Sequence, residues 1–252
     1  MAVMDEFKDE RNEMKNASLN KKISYFWYYN KWYVIGGLIA FVIIAAFIHD
    51  MVTKKEAVME AALLNSSVHL EDTEEYNEKF LSYMEIDSDK YSLSMDTSLK
   101  ISFGIMDETA INSSEKLSAY VAASILDTII AGDDIFSSYA NAGIFKDLRE
   151  ALSEEEIEKY SDFFYYVDTE VVKQVQLAET EMDSSLRPEI PDPTKPELMD
   201  EPVAVGIYID DCTEFLDVYT FPDSDCVVMG ILTDAPHETM TVTFLNYIFE
   251  NG

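Results

Sequence analysis

From Trp32 to Ile48 the chain carries no charge and no proline, and only Gly36 and Gly37 are weak helix formers. A membrane-crossing helix needs ~20 mostly apolar residues, and Met51 and Val52 can complete the span. In lipid every backbone N–H and C=O must be paired within the segment, so the run predicts a transmembrane helix over 32–52. Residues 1–31 then form a tail with an interfacial segment, and 53–252 form a domain outside the bilayer. In that domain the hydrophobic period changes repeatedly. Ala57–Asn65 is an apolar run closed by a turn former, a strand. Tyr76, Phe80, Leu81 and Met84 recur at helical spacing within 71–85, a helix with one apolar face. Tyr91, Leu93 and Met95 alternate with Ser92, Ser94 and Asp96, and Leu99, Ile101 and Phe103 repeat that alternation, so strands are expected there.

Asn112-Ser113-Ser114-Glu115 has the spacing of a helix start. Leu117, Tyr120, Val121, Ile125 and Ile129 mark the buried face of that helix, and Gly132 is its expected end. Ile135-Phe136 reads as a short strand and 141–152 as a short helix. The acidic, aromatic stretch 154–176 becomes helical from Thr169. Residues 187–202 hold five of the seven prolines and read as an extended acidic connection. Val203–Ile209 and Val227–Leu232 are apolar strands. Thr233, Pro236 and Glu238 mark the start of a last helix, buried through Met240, Phe244, Leu245, Ile248 and Phe249. Alternating strands and helices predict an α/β fold.

Charge sets the orientation. Lys15, Lys21, Lys22 and Lys31 precede the apolar run and Lys54 and Lys55 follow it, so the N-terminus is expected in the cytoplasm and the C-terminal domain outside. Phe26–Tyr33 holds six aromatics in eight residues, and Trp and Tyr favour the headgroup layer. Trp32, Tyr33, Gly36, Gly37, Phe41 and Phe47 are the expected anchor residues. Gly36 and Ala40 also give the small-xxx-small spacing that lets helices approach closely. A signal anchor fits better than a cleaved signal peptide, because no small-x-small cleavage site follows.

The net charge of −31 lies entirely beyond residue 50, where twelve Lys/Arg face forty-three Asp/Glu. Such a domain repels phosphates, which excludes a nucleic-acid role and suits a solvated surface or a basic partner. Cys212 and Cys226 can form a disulfide outside the cytoplasm or remain free thiols. No zinc spacing is present, and no metal or cofactor is expected.

Two stretches resemble a known family. Tyr120–Phe136, containing Ala131-Gly132-Asp133-Asp134-Ile135, and Tyr139–Leu148 are similar to a helix, turn and helix of the bacterial extracellular solute-binding proteins with the two-lobed type II fold. Met229–Ile248 is similar to the strand and helix that close the first lobe of that family. The spacing at Asp133-Asp134 is compressed relative to the family. The resemblance implies a bacterial surface protein whose outer domain corresponds to a single lobe, because only 153–202 lies where the family builds a second lobe. The family's ligand contacts therefore cannot be carried over.

The residues offer no nucleophile constellation, so no enzymatic activity is expected. His49 sits at the membrane edge, His69 in a loop and His237 at a helix cap near Asp234 and Glu238. Asp133 and Asp134 are the candidate ligand-binding residues, since open α/β sheets bind ligands at such turns. Asp87-Ser88-Asp89 and Asp223-Ser224-Asp225 lack the glycine and distal Glu of a calcium loop. The expected function is a membrane-anchored binding or accessory module, meeting a membrane protein partner, a transporter subunit or a small molecule. The alternative is a solute receptor of an uptake transporter, with a surface hydrolase the weakest reading.

Overall fold

The computed structural model describes residues 18–68, 70–103 and 107–252. Most of the expected tail (1–17) and His69 lie outside the described residues. The chain divides into two units, Met1–Lys54 and Lys55–Gly252. In the first, helix α1 spans Leu19–Thr53 and contains the apolar window Asn30–His49, 20 residues of mean hydropathy 2.2 with no buried share. At 1.5 Å of rise per residue this window is about 30 Å long, the thickness of a bilayer's hydrocarbon core. The helix is long and apolar enough to cross a membrane. Trp32, Tyr33, Phe41 and Phe47 are all exposed, and a Cβ added to Gly36 or Gly37 would meet nothing within 4 Å.

In the second unit, β1 (Glu56–Leu63), β3 (Tyr91–Asp96), β4 (Thr128–Gly132), β5 (Phe164–Asp168), β6 (Pro202–Tyr208) and β8 (Val227–Ile231) form one sheet. Its order is β3-β1-β4-β8-β6-β5, and β2 (Ser67–Val68) with β7 (Tyr219–Thr220) make a separate two-stranded ribbon. β3, β1 and β4 run parallel, whereas β8, β6 and β5 pair antiparallel with their neighbours. The helices are α2 (Leu70–Tyr83), α3 (Glu108–Ala122), α4 (Asp133–Asn141), α5 (Leu148–Ala151), α6 (Glu154–Tyr160), α7 (Thr169–Thr180), α8 (Thr213–Val218) and α9 (Glu238–Glu250). The domain is thus α/β with a mixed sheet.

Helices cover both faces of this sheet. Ile130 of β4 packs in one cluster with Met59, Phe80, Met229 and Phe244. Its neighbours Ile129 and Ala131 pack in the other, with Leu117, Phe136 and Val228. Successive strand residues point to opposite faces, so a strand buried on both sides reads as an unbroken apolar run. β4 and β8 are buried at every position for this reason.

Several elements differ from the sequence expectation. Helix α3 starts earlier than Asn112, at Glu108, because Asp107 caps it by accepting the Ala110 N–H at 2.8 Å. It stops at Ala122, well before Gly132. Ser124 takes φ +49 and donates to the Val121 carbonyl, while Ile125 donates to the Tyr120 carbonyl. That is a Schellman motif with serine in the position glycine usually fills. Ile129 therefore belongs to β4, and Gly132 ends a strand with φ −59. Ile135 and Phe136 lie in α4 rather than a strand. Leu99 and Ile101 are buried outside any strand, because Asn65 clamps Ile101 with bonds of 2.9 and 2.7 Å to its carbonyl and N–H. Residues 141–152 hold only the short α5, preceded by an isolated bridge from Phe145 to Leu232. The last helix begins at Glu238, later than Thr233.

Candidate functional site

Asp133 and Asp134 form the first turn of α4, at the carboxyl end of β4. The Asp133 carboxylate accepts the Asp134 N–H at 2.9 Å, and the Asp133 N–H donates to the Cys226 carbonyl at 3.1 Å. Gly132 supplies no side-chain cap, so the two carboxylates offset the positive end of the helix dipole, a sufficient structural role. A cavity of about 400 Å³ does open at this end of the sheet, beside Asn65, Ser67, Lys100, Asp107 and Asp223, but neither Asp133 nor Asp134 lines it. Its polar groups hold the loops together: Lys100 donates to the Ser66 carbonyl, and Asp107 caps α3.

Cys212 and Cys226 are both free, so the possible disulfide is not formed. Cys212 is fully buried; that burial, with Asp211 and Asp210 nearby, pushes its thiol up to about 12. Cys226 is half-buried, and burial with Asp210, Asp133 and Asp225 raises its thiol as well. Only a thiolate alkylates readily. Iodoacetamide at neutral pH is therefore expected to modify native protein slowly and at Cys226 alone, reaching Cys212 only after unfolding. Mass spectrometry showing a linked Cys212–Cys226 peptide, or equal labelling of both, contradicts this.

The Asp87-Ser88-Asp89 stretch serves as a turn. Asp87 accepts the Asp89 N–H at 3.0 Å and pairs with Lys90 at 2.9 Å. Among the described residues, no group of three or more His, Cys, Asp or Glu is placed to hold a metal ion.

The strongest constellation lies at the opposite end of the sheet. A cleft of about 520 Å³ opens at the amino ends of β1 and β3, walled by Glu56, Val58, Met84, Tyr91, His237 and Met240. His237 occupies the N-cap position of α9, but its side chain does not cap the helix. It turns instead to Asp127, the residue before β4, which is 0% exposed. Asp127 Oδ1 accepts the His237 backbone N–H at 2.5 Å, and Oδ2 lies 3.1 Å from His237 Nδ1. Oδ2 also accepts the Glu60 N–H of β1 at 2.8 Å. With Nδ1–H donating to this carboxylate, the neutral form of the ring presents Nε2 as an acceptor. Beside it, Glu238 is ion-paired with Lys146.

A buried carboxylate orienting a half-exposed imidazole is two parts of a base-activated nucleophile. Among the described residues no hydroxyl or thiol hydrogen-bonds to the His237 ring, and the Thr241 hydroxyl bonds only to its backbone carbonyl at 3.1 Å, so the third part is not assembled. His237 thus holds the expected cap position without a side-chain cap bond, and its sequence neighbours Asp234 and Glu238 do not bond to its ring. The partner is 110 residues away, and only the packing of α9 against β1 brings them together. No local spacing could have revealed it. No family model, no curated protein and no solved structure matches this chain.

Proposed function

We propose that this protein is a single-pass membrane-anchored surface protein whose outer domain is a non-enzymatic binding or accessory module. In this reading the N-terminus is cytoplasmic, and the domain, which resembles one lobe of a solute-binding protein, faces outward. A protein partner in the same membrane is its expected contact. The observation that carries the reading is the fate of residues 154–202. They do not leave the domain to form a second body. β5 becomes the edge strand beside β6, α7 packs on the same sheet through Val172, and the proline-rich connection folds back onto β5. The bonds that hold it there include Tyr166 N–H to the Pro193 carbonyl at 2.9 Å, Asp200 N–H to Asp168 Oδ2 at 2.7 Å and the Thr169 hydroxyl to the Glu201 carbonyl at 2.9 Å. A clamshell receptor encloses its solute between two bodies, so this arrangement favours an accessory module over an uptake receptor.

The test uses the full chain in intact cells. Protease added outside is expected to remove the domain, and mild-detergent extraction is expected to co-isolate a membrane protein. Protection of the domain from external protease sinks the topology. Turnover of an ester or phosphate substrate by the purified chain, lost in His237→Ala, sinks the non-enzymatic reading.

A further inference from the structure

The cleft beside His237 has a chemistry that the accessory role does not use. We propose that it is a binding site for a small organic ammonium ion with an apolar body. The proposal rests on reading the domain as a binder and gives that reading a ligand class. The walls supply the apolar part: Val58, Met84, Met240 and the Tyr91 ring. Methionine and tyrosine surfaces suit such a body, since the thioether adapts to shape and an aromatic face attracts a cation.

The polar groups decide the sign of charge. The start of α9 opens on the cleft, and a bare helix start carries roughly half a positive charge, which favours anions. Here that end is already met by a full carboxylate, since Asp127 accepts the N-cap N–H from a completely buried position. Glu238 in the first turn is balanced by Lys146. What remains is acceptors: the His237 Nε2 lone pair and the Glu56 carboxylate, which has no cation bonded to it among the described ion pairs. An ammonium group can donate to either the Glu56 carboxylate or the Nε2 of a neutral imidazole, and a carboxylate ligand would be repelled by Glu56.

The experiment titrates the full-length chain, held in zwitterionic-lipid nanodiscs, by calorimetry against empty nanodiscs. The probes are phenethylamine, its neutral counterpart 2-phenylethanol and the anion 3-phenylpropionate. Phenethylamine is expected to bind at least about tenfold more tightly than either, the scale of one charge-assisted hydrogen bond. Glu56→Gln and His237→Phe are each expected to weaken it about tenfold, on the same basis. Val58→Trp, which fills the cleft, is expected to abolish it. The proposal is overturned if 3-phenylpropionate binds as well as phenethylamine, if no probe binds, or if none of the three variants changes the amine's affinity. Co-isolation of the membrane partner is scored in parallel with Glu56→Gln. If the partner persists while no amine binds, the ligand proposal alone fails. If amine binds but no partner is ever recovered, the accessory reading fails instead.

Discussion

Phe136→Ala is expected to lower the unfolding free energy of the α/β domain by about 3–5 kcal/mol, the usual cost of emptying a buried aromatic site. Phe136 is fully buried, stacks on Phe145 with ring centroids 4.5 Å apart and meets Tyr165 edge-on at 5.1 Å. Its place is cut by two glycines. The β6–β8 register, Ile207 opposite Met229, sets Gly206 opposite Gly230. A Cβ on Gly206 would lie 2.6 Å from the Phe136 ring, and one on Gly230 would lie 2.7 Å from it. Gly206→Ala alone is therefore expected to cost about 1–3 kcal/mol by overpacking. In the Phe136→Ala background the ring is gone and the Val228 methyl, 2.8 Å from that Cβ, can shift into the space it leaves, so the double variant should cost less than the sum, with a coupling of about 1 kcal/mol or more. Urea unfolding followed by tyrosine near-ultraviolet circular dichroism reads this cleanly, because both tryptophans, Trp27 and Trp32, lie in α1. Additive costs would show that the ring and the glycines are not one packing unit.

Asp127→Asn is expected to have the second largest effect, on the order of 3 kcal/mol, although it changes almost no volume. The carboxylate receives three donors, the N–H groups of Glu60 and His237 and the imidazole Nδ1–H. An amide of the same shape presents one oxygen and two N–H donors, so a buried N–H must face N–H wherever it is turned. His237→Ala should cost far less, about 1 kcal/mol, because it removes one of the three bonds and leaves the backbone contact. Hydrogen exchange would localise the loss of Asp127→Asn to β1, β4 and the start of α9. Equal costs for the two variants would mean that the imidazole, not the carboxylate, organises this corner.

The helix ends show where local reading stops working. Among the described residues four helices close through a residue at positive φ, and of these only Gly143, after α4, is a glycine. Glu85, Ser124 and Met182 hold the equivalent position after α2, α3 and α7. In each of these three its own N–H and that of the following residue make the paired bonds of a Schellman motif: Glu85 to Ser82 and Ile86 to Leu81, Ser124 to Val121 and Ile125 to Tyr120, Met182 to Glu179 and Asp183 to Ala178. The left-handed conformation costs roughly 1 kcal/mol or more for such residues, and tertiary packing imposes it. A glycine-based reading therefore ran α3 on to Gly132 and lost the start of β4.

What the chain determines by itself is whatever depends on neighbours in sequence. The uncharged run Trp32–Ile48 makes a helix of bilayer length in any apolar surrounding, because its backbone bonds are internal. The apolar runs at Ala57, Val203 and Val227 make strands, and the acid excess beyond residue 50 dictates a surface that repels anions. The pairing of residues far apart is decided only by the tertiary structure. Residues 154–202, composed like a linker or a reduced lobe, become the edge of the one sheet because β5 finds an unpaired strand in β6. Asp127 and His237 become a pair because α9 docks against β1 and α5. Both outcomes follow from burial and hydrogen-bond satisfaction between elements, which no window along the sequence contains.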